Sequence, residues 1–428
     1  MRILILGGNG FIGSAVAARL ASDGSDVTAL ARDTATASRR MPQARWVRAD
    51  IAKLARPEDW TPLLTGMDAV VNCAGALQDG ARDDVAALQD VAMHALYEAA
   101  RSSPVRLIVQ ISARTSGGAA DTPFLATKRR ADAALENSSV PFVILRPALV
   151  IGRNAHGGSA LLRALAAFPL VTPLIHGDVP IQFAALDDVA EAVSEAIEGV
   201  IPPGNDVDIA SPDVLTLQGA VARHRAWLGL PPARPVAVPA FIAGVVSSGA
   251  DLLGHLGWRS SLRSTAMAAA AGGITAPAAN ALSRPLKSLD ESLASAPAGV
   301  QDLWFARLYL LKPLILGTLG LFWFLSGAVA LLRFEQSSGY LVAAGTPPAF
   351  AAALTLLTSL ADIALGVGVA VRRYAGLCPK GMIALSAGYL LGATVLEPGL
   401  WLDPLGPLVK VLPSTVLALT ALAILDER

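Results

Sequence analysis

The chain has 428 residues, and its 34 Lys and Arg balance its 34 Asp and Glu, giving a formal net charge of +0 at pH 7. That balance excludes a basic, nucleic-acid-binding surface as its organising feature, so no nucleic-acid partner is expected. Charged residues are only 16% and hydrophobic ones 53%, with a mean hydropathy of +0.52; a soluble domain is about 25% charged, so part of the chain is expected to face lipid.

From the N-terminus, "MRILILGGNG" has too short an apolar run and too early a glycine turn for a signal peptide, so the front end is expected to stay in the cytoplasm. Residues 1–215 alternate short apolar runs with alanine-rich helical stretches. "RILILGG", "DVTALAR", "ARWVRADI", "DAVVNCAG", "RLIVQIS" and "PFVILRPALV" predict buried parallel strands. The alternation predicts a doubly wound α/β domain whose ligand binds at the carboxyl ends of the strands. Between the first strand and the first helix, "GGNGFIGSA" spaces Gly7, Gly10 and Gly13 as G-x-x-G-x-x-G. Gly7 allows the tight turn, Gly10 lets the backbone approach a pyrophosphate, and Gly13 lets helix and strand pack closely. Phe11 and Ile12 fill the first helical turn, whose N–H groups face the phosphates.

At the tip of the second strand stands Arg32, which favours the 2′-phosphate of NADP; an acid there would favour NAD, and Asp33 follows directly. NADP is therefore the expected cofactor, with NAD as the alternative. Asp50 and Ile51 close the third strand beside the adenine. Ala74 and Gly75 in "NCAG" close the fourth, where small residues let a cofactor pass, and Cys73 is read as a packing residue. The two cysteines, Cys73 and Cys378, have no metal-type spacing and fit a reducing compartment. In "TPFLATKRRADAAL", Phe124 and Lys128 stand at i and i+4 on one helix face. A tyrosine in place of Phe124 would make a proton-transfer pair with the lysine; phenylalanine has no hydroxyl.

Residues 216–305 are expected to form a helical substrate-side or linker region. "TLQGAVARHRAWLGL" reads as an amphipathic helix. "AFIAGVVSSGADLLGHL", 240–256, is apolar but interrupted by Asp251 and His255, which predicts a helix on the membrane surface or docked on the domain. Residues 306–428 contain four apolar blocks, 308–332, 347–371, 381–396 and 405–425, predicting an all-α bundle of four transmembrane helices. The 372–380 loop carries Arg372, Arg373 and Lys380 and no acid, whereas 397–404 has Glu397 and Asp403 and no base. The charge asymmetry predicts a multi-pass protein of a bacterial-type inner membrane, with the N-terminal domain and C-terminus in the cytoplasm. Lys312, Glu397 and Lys410 lie towards span ends. Asp362 falls in mid-span, where a charge needs a partner, and is either a functional group or half of a structural Asp–Lys pair.

Taken together, "GGNGFIG", "ADI", "NCAG", "ISA", "FLATK", "LRPALVIG" and "IQFAALDDVAEAV" resemble the extended or atypical short-chain dehydrogenases/reductases, among them the complex I accessory-subunit-like NAD(P)-binding and sugar-epimerase-like proteins. "RLYLLKPLIL", "SLADIALGVGV" and "PLGPLVKVLPS" resemble the DoxX-like membrane family. The resemblance implies a Rossmann-type domain followed by a four-helix membrane domain. It also implies a catalytic tyrosine, lysine and serine, of which Lys128 and Ser112 have matches and the tyrosine is replaced by Phe124; Ser112 is followed by Ala113 where relatives often carry a second serine. The expected function is a membrane-tethered NAD(P)(H)-binding oxidoreductase acting on a quinone-like or lipidic acceptor. Its alternative is a catalytically silent NADP(H)-binding assembly or redox-sensing protein.

Overall fold

The computed structural model describes residues 1–80, 83–113, 122–276, 282 and 284–426. Contacts divide the chain into two compact units, Met1–Gly254 with Ser260–Ala306, and His255–Arg259 with Arg307–Arg428.

The first unit alternates β1 (Arg2–Leu6), α1 (Phe11–Ser22), β2 (Asp26–Ala31), α2 (Thr34–Arg40), β3 (Arg45–Arg48), α3 (Pro57–Leu64), β4 (Ala69–Asn72), α4 (Ala92–Arg101), β5 (Leu107–Ile111), α5 (Pro123–Glu136) and β6 (Phe142–Pro147). Then follow β7 (Leu149–Ile151), α6 (Gly158–Ala166), β8 (Val171–Leu174), β9 (Pro180–Ile181), β10 (Phe183–Ala185), α7 (Leu186–Ile197) and β11 (Asn205–Ile209). A seven-stranded sheet has the order β11-β6-β5-β4-β1-β2-β3, and every pairing is parallel. Strand order reverses between β1 and β4, so the carboxyl ends of these two strands define the ligand crevice. Side chains alternate across β1: Ile3 and Ile5 pack in the layer of α1 and α7, Leu4 and Leu6 in the layer of α3 and α4. All four are fully buried, as expected of a strand covered on both faces.

Two differences from the sequence expectation lie in this unit. The apolar run "PFVILRPALV" is two strands, β6 and β7, because the chain leaves the main sheet after Pro147 and Leu149–Ile151 pairs with β10 instead. The seventh strand, "NDVDI", carries three polar residues and lies outside the apolar runs; as an edge strand it tolerates them, since it has a neighbour on one side only. Beyond it lie β12 (Leu215–Thr216), α8 (Leu217–Trp227), β13 (Arg234–Ala237), α9 (Ala240–His255), α10 (Ser264–Ala271) and α11 (Leu289–Ala294).

The second unit is helical: α12 (Val300–Leu332, which begins in the first unit), α13 (Phe334–Ala343), α14 (Pro348–Gly368), α15 (Cys378–Leu396) and α16 (Val411–Ile424). α12, α14 and α15 are long and apolar enough to cross a membrane, a span needing about 20 residues. The expected fourth span, 405–425, is shorter than the sequence suggested. Asp403–Pro404 and Gly406–Pro407 hold 402–410 in turns, Gly406 with φ +58°, and leave a helix of 14 residues. The stretch between the first two apolar blocks is itself largely helical, as α13. α12 and α14 touch backbone to backbone. A Cβ on Gly327 would lie 2.4 Å from Ser359 O, and one on Gly366 2.5 Å from Phe324 N, the small-residue contact that brings membrane helices together. Asp362 is buried, and its partner is a neutral donor rather than a lysine: the Tyr389 hydroxyl donates to its Oδ1 at 2.8 Å, and Ser326 bonds it too.

Candidate nucleotide site

The glycine turn after β1 is built so that no side chain fits. Gly7 has φ +69°, and Gly10 N donates to Gly7 O at 2.9 Å. A Cβ on Gly13 would lie 2.2 Å from Gly7 O, and one on Gly7 3.0 Å from Ala74 Cα. α1 starts from Gly10 with no side-chain cap and no acid in its first turn. No side chain caps its first N–H groups, and the helix dipole favours an anion there. Phe11 and Ile12 occupy that turn partly exposed, and Phe11 stacks on His156 with ring centroids 5.7 Å apart.

Arg32 and Asp33 differ in their commitments. Asp33 caps α2, accepting from Thr36 N at 3.1 Å and Thr36 Oγ1 at 2.7 Å; these bonds hold its carboxyl below the usual range. Arg32 keeps a half-exposed side chain, its guanidinium 3.2 Å from Asp83. Asp50 begins a single 3₁₀ turn, Ile51–Lys53, in which Ile51 is buried.

Opposite the glycine turn, the 73–76 segment is fixed by a buried amide network. Asn72 Oδ1 accepts from Ala74 N at 3.0 Å, Asn72 Nδ2 donates to Gln110 Oε1 at 2.8 Å, and the Tyr97 hydroxyl donates to the same oxygen at 3.3 Å. Burial raises the Tyr97 phenol, so it is no substitute for an acid at position 124. Burial likewise pushes the Cys73 thiol up to about 12, which leaves a packing residue rather than a nucleophile. Gln89 Nε2 donates to Ala76 O and to Thr127 Oγ1, each at 3.2 Å, while its Oε1 is buried with no hydrogen-bond partner among the described residues. A Cβ on Gly75 would sit 3.2 Å from that oxygen.

α5 starts at a Thr122 cap and Pro123. Phe124 is partly buried. Lys128, one turn on, is buried, and its ammonium donates to Ile111 O at 2.9 Å and Ala74 O at 3.3 Å. Burial lowers its pKa, and the charge of Asp132 opposes that fall. Lys128 is thus brought to the ends of β4 and β5, beside Ala74 and Gly75. Ser112 is placed differently: its hydroxyl donates to Asp132 Oδ2 at 2.5 Å. The same oxygen accepts from Arg146 NH1 at 2.7 Å, and Arg146 Nε donates to Asp206 Oδ1 at 2.7 Å. Sequence reasoning missed Asp132, Gln89 and Asp206. For Asp132 a signal existed, since 124, 128 and 132 repeat at i+4 on one helix face. Asp362 belongs to the helical unit and is no part of this crevice.

A nicotinamide dinucleotide fits these residues: a glycine turn with no room for side chains, an uncapped first turn of α1, a buried Gln89 oxygen with no partner among the described residues, and the buried Lys128 ammonium. The comparisons agree. Residues 7–167 match the NAD(P)H-binding family model, and residues 320–419 match the DoxX-like family. An uncharacterized protein of Mycobacterium tuberculosis is 27% identical over 242 residues, 55% of this chain and 25% of that protein. An uncharacterized chloroplastic protein of Arabidopsis thaliana is 28% identical over 178 residues, 40% of this chain and 57% of its own length. The chain thus matches only a quarter of the first relative and little over half of the second. Among solved structures, a mutant UDP-glucuronic acid 4-epimerase from Bacillus cereus with a fluorinated UDP-sugar and NAD superposes with a TM-score of 0.54 at 16% identity, covering 72% of this chain and 100% of that one. The same epimerase with UDP-glucuronic acid and NAD gives 0.51 at 17% identity, with coverage of 72% and 100%. These likenesses show the fold. The chain therefore joins a Rossmann-type domain, which matches the NAD(P)H-binding family model and has the fold of these epimerases, to a C-terminal region that matches the DoxX-like family and carries membrane-capable helices.

Proposed function

We propose that this protein is an NADP(H)-using oxidoreductase tethered to the cytoplasmic face of a bacterial-type inner membrane, where it reduces a quinone-like or lipidic acceptor. The observation that carries the reading is a glycine turn with no room for side chains, a buried Lys128 beside Ala74 and Gly75, and an apolar Phe124 where the resemblance puts a proton donor. When bound, the reduced cofactor supplies a hydride. Gly7, Gly10 and Gly13 hold its phosphates and Lys128 its ribose hydroxyls, while Phe124 offers the reacting face an apolar wall. An acceptor such as a quinone takes the hydride on its own conjugated system and its proton from water, so no protein acid is required. The membrane setting rests on the apolar helices and the basic 372–380 loop.

Phe124 and the engagement of Ser112 with Asp132 also favour a second reading, a catalytically silent NADP(H)-binding assembly or redox-sensing protein. The purified full chain separates the two. Binding of NADPH followed by its oxidation with short-chain quinone analogues is the outcome expected of the first reading. Tight binding with no oxidation by any acceptor supports the second, and failure to bind either nucleotide overturns both.

Cofactor preference has its own test. Arg32→Ala is expected to weaken NADPH about tenfold while leaving NADH little changed, because NADH carries no 2′-phosphate for the guanidinium to meet and the lost Arg32–Asp83 pair affects both nucleotides alike. Asp33→Ala is expected to lower thermal stability slightly through the lost cap, with the NADPH-to-NADH ratio unchanged. Fluorescence titration of both variants decides; a ratio that moves with Asp33 instead would make that acid the ribose reader.

A further inference from the structure

α9 carries its large apolar side chains outward and its small ones inward, the reverse of a helix packed on a soluble domain. Phe241 is 73% exposed, Val245 71% and Leu252 65%, and Ile242, Val246 and Leu253 continue the same face. Ala243, Ala250 and Gly254 point inward and are buried. A contiguous apolar surface of this kind marks an interaction site. The helix's one acid, Asp251, is held by Arg263 Nε at 3.1 Å, so the outward face carries no charge.

The chain's course identifies what covers that face. Directly after α9, residues 255–259 belong to the helical unit. There Trp258 Nε1 donates to Ala370 O at 2.7 Å, and the Lys312 ammonium and the Arg372 guanidinium lie 5.9 and 5.3 Å from its ring centroid. A tryptophan among basic side chains is the usual furniture of a membrane–water boundary. The last residue of α9, His255, thus leads by chain connection straight into the segment that carries this tryptophan. At 16 residues it is about 24 Å long, and Asp251, with Ser247 and Ser248, interrupts it; it is too short and too polar on one side to cross. We propose that α9 lies in the plane of the bilayer interface, with Phe241, Ile242, Val245, Val246, Leu252 and Leu253 in the headgroup–acyl boundary, so that the nucleotide-binding unit holds the membrane by its own surface. The proposal does not depend on turnover or on the acceptor's identity.

The test uses the full chain in nanodiscs of phosphatidylcholine and phosphatidylglycerol, with an environment-sensitive fluorophore on Val245→Cys or Leu252→Cys and, as a solvent control, on Lys53→Cys. Lipids brominated near the headgroup end of the acyl chain are expected to quench the two α9 labels by about half and leave the control unchanged. Quenching no greater than the control overturns the proposal, as does crosslinking of α9 between two copies without quenching. Stronger quenching by lipids brominated at the chain terminus also overturns it, since that is the mark of a span. Hydroxyl-radical footprinting of the unmutated chain gives an independent reading: Phe241 is expected to be protected in nanodiscs, and oxidation at the rate of an open surface residue overturns the assignment.

Discussion

Gly13→Val is expected to abolish nucleotide binding while leaving the helical unit folded. The added Cβ would meet Gly7 O at 2.2 Å, Gly7 C at 2.9 Å and Gly8 Cα at 3.0 Å, all backbone atoms. None can swing aside as a side chain would. Gly7 is already in the left-handed region and tied to Gly10, and a Cβ on Gly8 would in turn meet Ala29 Cβ at 2.7 Å. Relief therefore has to come from lifting α1 off β1, which costs about 1–3 kcal/mol as an overpacking. The same movement takes the α1 N–H groups away from the phosphates. NADPH affinity should fall by at least about a hundredfold, or ~2.7 kcal/mol, by calorimetric titration. Melting of the nucleotide-binding unit should drop by about 2–4 °C for each kcal/mol lost. Gly24→Ala is the control: Gly24 also has a positive φ, +85°, but nothing lies within 4 Å of its Cβ position. It should cost stability through backbone strain alone and leave NADPH affinity intact. A Gly13 variant that binds as tightly as the parent would remove the glycine turn from the site.

What could be read from the sequence follows from the range of the interactions involved. The glycine turn and the Phe124–Lys128 face are local patterns, set by residues within one or two turns of each other; the first follows β1 and the second lies on α5. Asp132 sits in "KRRAD", which reads as a solvated charge run; only the return of β6 and β11, bringing Arg146 and Asp206, makes it a buried anion. The Asp362–Tyr389 bond has the same character, since its members lie on α14 and α15 and meet through helix packing. The edge strand β11 was hidden because alternation and β-propensity fade where a strand has one neighbour. Conversely, hydropathy averaged over 405–425 overlooked the Pro and Gly that delay α16 to Val411, because apolar composition and helix continuity are separate properties.

Asp132→Ala is expected to have the largest effect on stability. Its carboxylate is buried and joins the Ser112 hydroxyl to the Arg146 guanidinium, whose side chain is only 13% exposed. Removing it strands one edge of that cation in the interior, and breaking a buried ion pair from one side costs about 3–5 kcal/mol. Asp206 still bonds Arg146 Nε, which points to the lower end of that range. Removing both partners, as in Asp132→Ala with Arg146→Met, should recover part of the loss, because no half-paired buried guanidinium is then left, while Asp206 and Lys128 each still lose a charge partner; thermal unfolding of single and double variants measures the coupling. A second consequence concerns Lys128. Its folded pKa is lowered chiefly by burial, and the charge of Asp132 partly restores it. Between that lowered value and the ordinary 10.5, the unfolded chain binds a proton that the folded chain has released, so stability rises with pH across that window. The ammonium proposed to hold the ribose is present below the folded pKa and lost above it. Without Asp132 that pKa falls further, so NADPH affinity should begin to decline with rising pH at a lower pH in Asp132→Ala than in the parent. Titrations over a pH series read the displacement directly. Identical pH profiles would show that Asp132 supports the fold without tuning the lysine.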